Sequence, residues 1–233
     1  MQRRMLAIKT VMLCIATTSV SIIEPLFLRQ ALAQGSNSSD EKVVHLLEEP
    51  RHRTVHREGN LYLLDVQVNP GDTSLQHVHD QAILLTTIHT GRGPANGPVR
   101  SIPEYANEPL THNVSNEGPG LLRIIALVND GQGVTDGNDK PKGVTSDPGV
   151  ENLWFRSYRV ELGPGEQTEL QSHDNHTVVI QGSQGVVHVT REDGITRELD
   201  SAGEWEWRYP GSPFMVKNMS NLPVIVAINE GRE

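Results

Sequence analysis

The chain has 233 residues, with 29 acidic against 20 basic side chains and a formal net charge of −9. An acidic chain is repelled by nucleic acid and by anionic membrane surfaces, so neither is expected as a partner. The first 33 residues run from Arg3, Arg4 and Lys9 through an apolar stretch, Val11 to Ile23, to Ala31-Leu32-Ala33. That order predicts a secretory signal peptide cleaved after Ala33, and so a periplasmic or secreted protein. The apolar stretch, about 13 residues long, is shorter than the roughly 20 that a spanning helix needs. Cleavage would leave residues 34–233 with 16 basic and 28 acidic side chains, a net charge of −12, and no cysteine, since Cys14 is the sole one. A mature chain of that kind has no disulfide, no thiolate ligand and no cysteine nucleophile.

After a polar lead-in over 34–42, the chain reads as short strands. Leu61 to Val68 alternates until Asn69-Pro70-Gly71-Asp72 turns it, and Phe155 to Val160 is followed in the same way by Gly163-Pro164-Gly165-Glu166. The apolar runs 124–128 (IIALV) and 224–228 (VIVAI), each followed by Asn, an acidic residue and Gly, predict buried strands ending in turns. Residues 92–110, with four prolines, predict a long irregular loop, and the Gly/Asp/Asn-rich segment 131–150 predicts a linker with an exposed tip. The resulting plan is an N-terminal unit over 43–130 and a C-terminal unit over 151–233. Many short strands and no sustained helical period point to an all-β architecture.

The two units repeat one another. Residues 70–91 align without a gap on 164–185, pairing Gly71 with Gly165, His79 with His173 and Gly91 with Gly185; residues 112–116 then pair with 214–218. The copies differ where chemistry is possible: His77 becomes Gln171 and His112 becomes Phe214. On a strand, His77 and His79 point to the same face with Val78 turned away. Two imidazoles so fixed make half of a site for a divalent transition metal, with His112 the candidate third ligand. The same pair is also compatible with two hydrogen-bonded histidines inside a barrel.

Gly71, five residues, His77, one residue and His79 resemble the first signature motif of the cupin superfamily, with Gly91 at its closing glycine. His112, three residues and Asn116 resemble the end of the second motif. In the second half Gly203, Gly211 and Asn218 match that motif, with Tyr209 where proline is usual. The resemblance covers most of residues 34–233 and implies a bicupin: two tandem cupin-type β-barrels, double-stranded β-helices or jelly rolls. It implies the metal ligands His77, His79 and His112. The family's glutamate position falls on Leu84 in the first half and Val178 in the second. A three-histidine site without the carboxylate resembles the cupin thiol dioxygenases and diketone-cleaving enzymes, which use non-haem iron, and also zinc-binding variants. Iron, zinc and manganese therefore all stay open, with Gln81 as a weak further ligand. The second barrel keeps only His173 and is expected to be filled by side chains.

His52 and His56, in the polar stretch before the first long strand, are read as surface residues, and His176 as an exposed turn residue. Trp205 and Trp207 share a strand face and predict ordinary core or inter-barrel packing, with a sugar-stacking platform as the alternative. No G-x-S-x-G elbow, phosphate loop or H-E-x-x-H motif is present, so acyl transfer and nucleotide chemistry have no support. The functional expectation is an exported bicupin binding one divalent transition metal in its N-terminal barrel and acting on a small organic substrate, as a dioxygenase or another metal-dependent enzyme. The alternative is a non-catalytic cupin that binds a small ligand or metal or serves a structural role. The resemblance also makes a homo-oligomer an expectation, since cupin barrels often pair through their sheets.

Overall fold

Runs of Val, Ile, Leu and Thr cut short by Gly, Pro, Asn and Asp favour brief extended segments over helices. The computed structural model describes residues 42–134 and 140–233. The expected signal peptide, its cleavage point, most of the lead-in and the middle of the expected linker lie outside them. Among the described residues no helix is long and apolar enough to cross a membrane.

The first half contains β1 (Val44–His45), β2 (His52–Glu58), β3 (Leu61–Val68), β4 (His77–His79), β5 (Ala82–Thr90), β6 (Val99–Ile102), β7 (Leu110–His112) and β8 (Leu122–Asn129). The second contains β9 (Val150–Glu151), β10 (Phe155–Leu162), β11 (His176–Gln181), β12 (Val187–Arg191), β13 (Thr196–Leu199), β14 (Trp205–Arg208), β15 (Phe214–Asn218) and β16 (Val224–Gly231). A five-stranded sheet, β2-β3-β8-β5-β6, faces a three-stranded sheet, β1-β4-β7, in the first half; β14-β11-β16-β10-β9 and β13-β12-β15 do the same in the second. The protein is thus all-β, built as two jelly-roll barrels in tandem.

The central strands of each five-stranded sheet are buried on both faces, which is why they read as continuous apolar runs. One face of each lines its own barrel: Leu64, Val66, Ile83, Ala126 and Val128 in the first, Tyr158, Val179, Val226 and Ile228 in the second. The opposite faces pack on each other, with Leu61, Leu63, Leu84 and Leu127 meeting Phe155, Val178, Ile180 and Trp207. Trp207 is buried there and Trp205 packs against the same cluster. Polar groups cross the seam too. Asn229 donates to Thr86 Oγ1 (2.9 Å), Asn129 donates to the Arg232 carbonyl (2.8 Å), and Arg123 ties Asp65 to the Ala202 and Gly203 carbonyls.

The repeated motif residues do the same structural work twice. Gly71 and Gly165 turn the chain at φ +78° and +74°, where a side chain would be strained, and donate to the Asn116 and Asn218 carbonyls. The Asn116 side chain then donates to the Val68 and Gly120 carbonyls (2.8 Å each); Asn218 donates to those of Leu162 and Leu222 (2.9 and 2.8 Å). Each asparagine fastens the end of a short-sheet strand to the long sheet.

Several expectations need correction. The segment 92–110 is not a plain loop: β6 adds a paired edge strand, and Pro103–Ala106 forms a 3-10 turn. In the second half the apolar run does not stop at a turn, because β16 continues through Asn229, Glu230 and Gly231 with all three buried. In the expected linker, Lys142 pairs its backbone with Ser172 and Val144 packs against the second barrel's core. Leu84 and Val178, read as occupying the glutamate position, face the seam. The strand alternation puts their neighbours Ile83 and Val179 inside the barrels. The inward residue is aliphatic either way.

Leu84→Glu should therefore lower the unfolding free energy in urea by about 3 kcal/mol or more, because it strands a carboxylate in the seam. Val55→Glu, on the exposed side of β2, should change it by no more than about 0.5 kcal/mol.

Candidate metal centre

The site is built from two three-residue strands. β4 puts His77 and His79 on one face, and β7 runs antiparallel to it so that His112 stands directly opposite His77. The Nε2 atoms of His77 and His79 are 3.1 Å apart, and those of His112 and His79 3.0 Å. The three ring centres lie 4.8–5.0 Å from one another. His77 and His79 are buried and His112 is half-buried, so the cluster opens to solvent on the β7 side, where Leu110 is exposed. The sequence-predicted ligands His77, His79 and His112 are the one group of metal-ligating side chains that converges among the described residues.

The arrangement fits a cation. His77 uses Nδ1–H to donate to the Leu75 carbonyl (2.9 Å), which leaves a bare lone pair on Nε2. His79 Nε2 faces both neighbouring Nε2 atoms, and one proton there can satisfy only one of them. A shared ion removes the conflict. Three ligands about 2.1 Å from an ion at right angles would have nitrogens about 3 Å apart. Two of the three spacings, 3.1 and 3.0 Å, match that, and all three ligand atoms lie within 4.8 Å of one another. Burial, followed by the neighbouring imidazoles, holds His79 down to about 2 and His112 to about 4. Both rings are neutral at ordinary pH, the form in which imidazole binds metal.

Support comes from residues the sequence reading passed over. Glu49, fully buried, accepts from the Leu75 amide (3.1 Å) and the Arg51 amide, and so braces the residue whose carbonyl orients His77. His45 Nε2 and Asp80 pair at 2.9 Å beside β4. Tyr105, from the 3-10 turn, packs at a tilt against His79 with ring centres 4.9 Å apart. Gln81 is buried and its amide donates to Asp130 (3.3 Å).

His52 is the main reversal. Expected on the surface, it is 4% exposed and meets His77 edge-to-face at 4.5 Å. His56 is half-buried on Trp207 (4.4 Å), and His176 opens β11 between Trp207 and Tyr209. The clue lay in Gly59-Asn60, a two-residue hairpin signal that makes the polar run 52–58 a strand paired with β3. Polar alternation alone hid its inward-facing members.

No protein-family model matches the chain, and no curated protein matches its sequence. Solved structures match its fold. AerE from Microcystis aeruginosa superposes with a TM-score of 0.53 at 10% identity, over 75% of this chain and 89% of that one. A cupin 2 conserved barrel domain protein from Leptotrichia buccalis gives 0.50 at 14% identity, over 77% and 88%. An oxalate decarboxylase from Bacillus subtilis with Mn(II) centres gives 0.48 at 14%, over 74% and 69%. The fold is that of the cupins.

The second cupin barrel has the same frame and another interior. His173 is buried with both ring nitrogens engaged, Nδ1 by Glu230 (2.7 Å) and Nε2 by Gln171 (3.0 Å), and Phe214 stacks on it at 5.5 Å. Asn175 donates to the other Glu230 oxygen (2.9 Å). No lone pair is left for an ion, and side chains fill the space, as expected of this half. Glu230 had no sequence signal, since it was read as part of a turn.

Two outcomes follow from this geometry. His79 and His112 are held below the 6.5 of an unfolded histidine, so the unfolded chain takes up their protons first. Stability of the metal-free protein should be flat above about pH 7 and fall as pH drops from 6.5 toward 4, as followed by thermal melting. Glu49→Ala should weaken metal binding about 10- to 100-fold in a chelator competition while leaving the three ligands in place.

Proposed function

We propose that this protein is an exported bicupin whose N-terminal barrel binds one divalent transition metal ion through His77, His79 and His112. The observation that carries this reading is that His79 Nε2 meets both His77 Nε2 (3.1 Å) and His112 Nε2 (3.0 Å), with no proton able to satisfy both contacts. Neutral nitrogen donors suit zinc, iron or manganese and leave the ion its full charge. With three protein ligands on one side, the remaining positions are open to a small organic molecule. A bound ion would supply Lewis acidity there, and iron would add redox chemistry with dioxygen.

This chain's residues supply the rest. The Leu75 carbonyl and Glu49 fix the His77 ring, Tyr105 covers His79, and the half-buried His112 marks the entry side. The aliphatic lining around Ile83 keeps the inner wall dry. Metal-dependent oxidation of a small organic substrate, as by a dioxygenase, is the activity this site suits best. Export is supported by the order of residues 1–33.

Elemental analysis of the purified protein should find about one transition metal per chain, and a His77→Ala, His112→Ala double variant should lose it. Equal metal in both would remove the proposal. Expression in a bacterial host with an intact export system should yield a mature chain beginning at Gln34; a mature protein still beginning at Met1 would remove the export part.

A further inference from the structure

Where Arg123 reaches across to the Ala202 and Gly203 carbonyls, the seam between the barrels holds a crevice of about 210 Å³ lined by both halves of the chain. It lies on the face of the first five-stranded sheet turned away from the three histidines. It is smaller than the roughly 300 Å³ of a site for a drug-sized molecule, so its occupant is small.

The fold aims a histidine at this space. Along β5, Leu84, Thr86 and Ile88 face the seam, so strict alternation would turn His89 away from it. A bulge at Ile88 breaks the alternation: Thr87 pairs with Ile124 and His89 with Arg123, which brings His89 to the side of Arg123. The Gly91 amide donates to His89 Nδ1 (3.0 Å). The proton of the neutral ring therefore sits on Nε2, which has no hydrogen-bond partner among the described residues. That edge of the ring lies over Gly120, itself a wall of the crevice: a methyl group on Gly120 would stand 3.0 Å from Cε1 and 3.7 Å from Nε2. From the other half, Ser183 Oγ accepts from the Ile225 amide (2.8 Å), and its hydroxyl proton is left to donate. Pro94, Leu121 and Ala202 add apolar wall. No aspartate or glutamate lines the crevice, although the chain carries 29. Donors without a carboxylate among them suit an anion, and the apolar wall suits a short hydrocarbon end.

We propose that this crevice is a second binding site, for a small aliphatic carboxylate whose oxygens accept from His89 Nε2–H and Ser183 Oγ–H. The three histidines and their ion take no part. Because both barrels build the site, an occupant also fastens the seam and raises the melting temperature.

Titration of nitrogen-15-labelled protein with butyrate, followed by its amide resonances, tests this. Gly120 and Ser183 should shift together and saturate. No saturation by about 50 mM, well above the millimolar dissociation constant expected of so few contacts, overturns the proposal. So do saturating shifts at Val78 with none at Gly120 and Ser183, because the metal centre would then be the carboxylate site. Methyl butyrate, which lacks the charge, should bind about tenfold more weakly or worse; equal binding overturns the carboxylate class. His89→Phe, which keeps a ring without a donor, should weaken butyrate about tenfold, and His89→Gln, which restores an N–H, should recover most of that. Ser183→Ala should cost about threefold or more, and it decides the matter if His89→Phe does not fold. Unchanged butyrate affinity in either folded variant overturns the proposal.

Discussion

The face-to-face packing of the two five-stranded sheets is the constraint on which the rest of the molecule depends. It buries both sides of β3, β5, β8, β10, β11 and β16, so those strands cannot move relative to one another without opening the seam. Leu84 and Trp207 lie in that contact, and the residues next to them in sequence line the barrels. Each barrel interior is therefore formed on the reverse side of a rigid shared layer. The short sheet of the first half carries little hydrophobic area, whereas that of the second adds Val187, Val189, Leu199, Phe214 and Val216 to its barrel core. Both are fastened to this layer by asparagine side chains, Asn116 in one half and Asn218 in the other.

Duplication kept the frame and released the interior. The paired glycines and asparagines make the same turns and the same hydrogen bonds in both halves, which accounts for their survival in both copies. Nothing in the frame needs imidazole at positions 77, 79 and 112. In the second half, Gln171, Phe214 and Glu230 turn the same enclosure into a closed hydrogen-bonded network around His173. The difference is one of lone pairs: the first barrel has nitrogen lone pairs facing each other, the second has each nitrogen facing a protein partner. Only the first arrangement has a use for a cation.

Much of the site could be read before any coordinates. His77 and His79 share a face by strand alternation, and the internal repeat marked the half in which they and His112 stand together. Leu84 shows where such reading fails. Counting residues from the histidines or from Gly91 places a position on the motif, but the short step from β4 into β5 decides its face, and that step makes Ile83 the inward residue. His52 shows a second kind of failure. Its strand is polar on the outside and carries few inward apolar groups, so hydropathy describes it as surface. Glu230 shows a third, for an acidic residue after an apolar run reads as a turn unless its partners, His173 and Asn175, are already known to be nearby.

The sequence by itself determined the strand-rich architecture, the twofold repeat, and which half holds three histidines, because these follow from local turn chemistry, side-chain alternation and self-comparison. Tertiary structure alone decided which face of β5 looks into the barrel, that His52 and Glu49 stand beside the three histidines, and that the second barrel is closed by Glu230. Those facts depend on how strands far apart in the chain come into register. Local sequence carries little information about that register, whereas burying both sheets against one another leaves it almost no freedom.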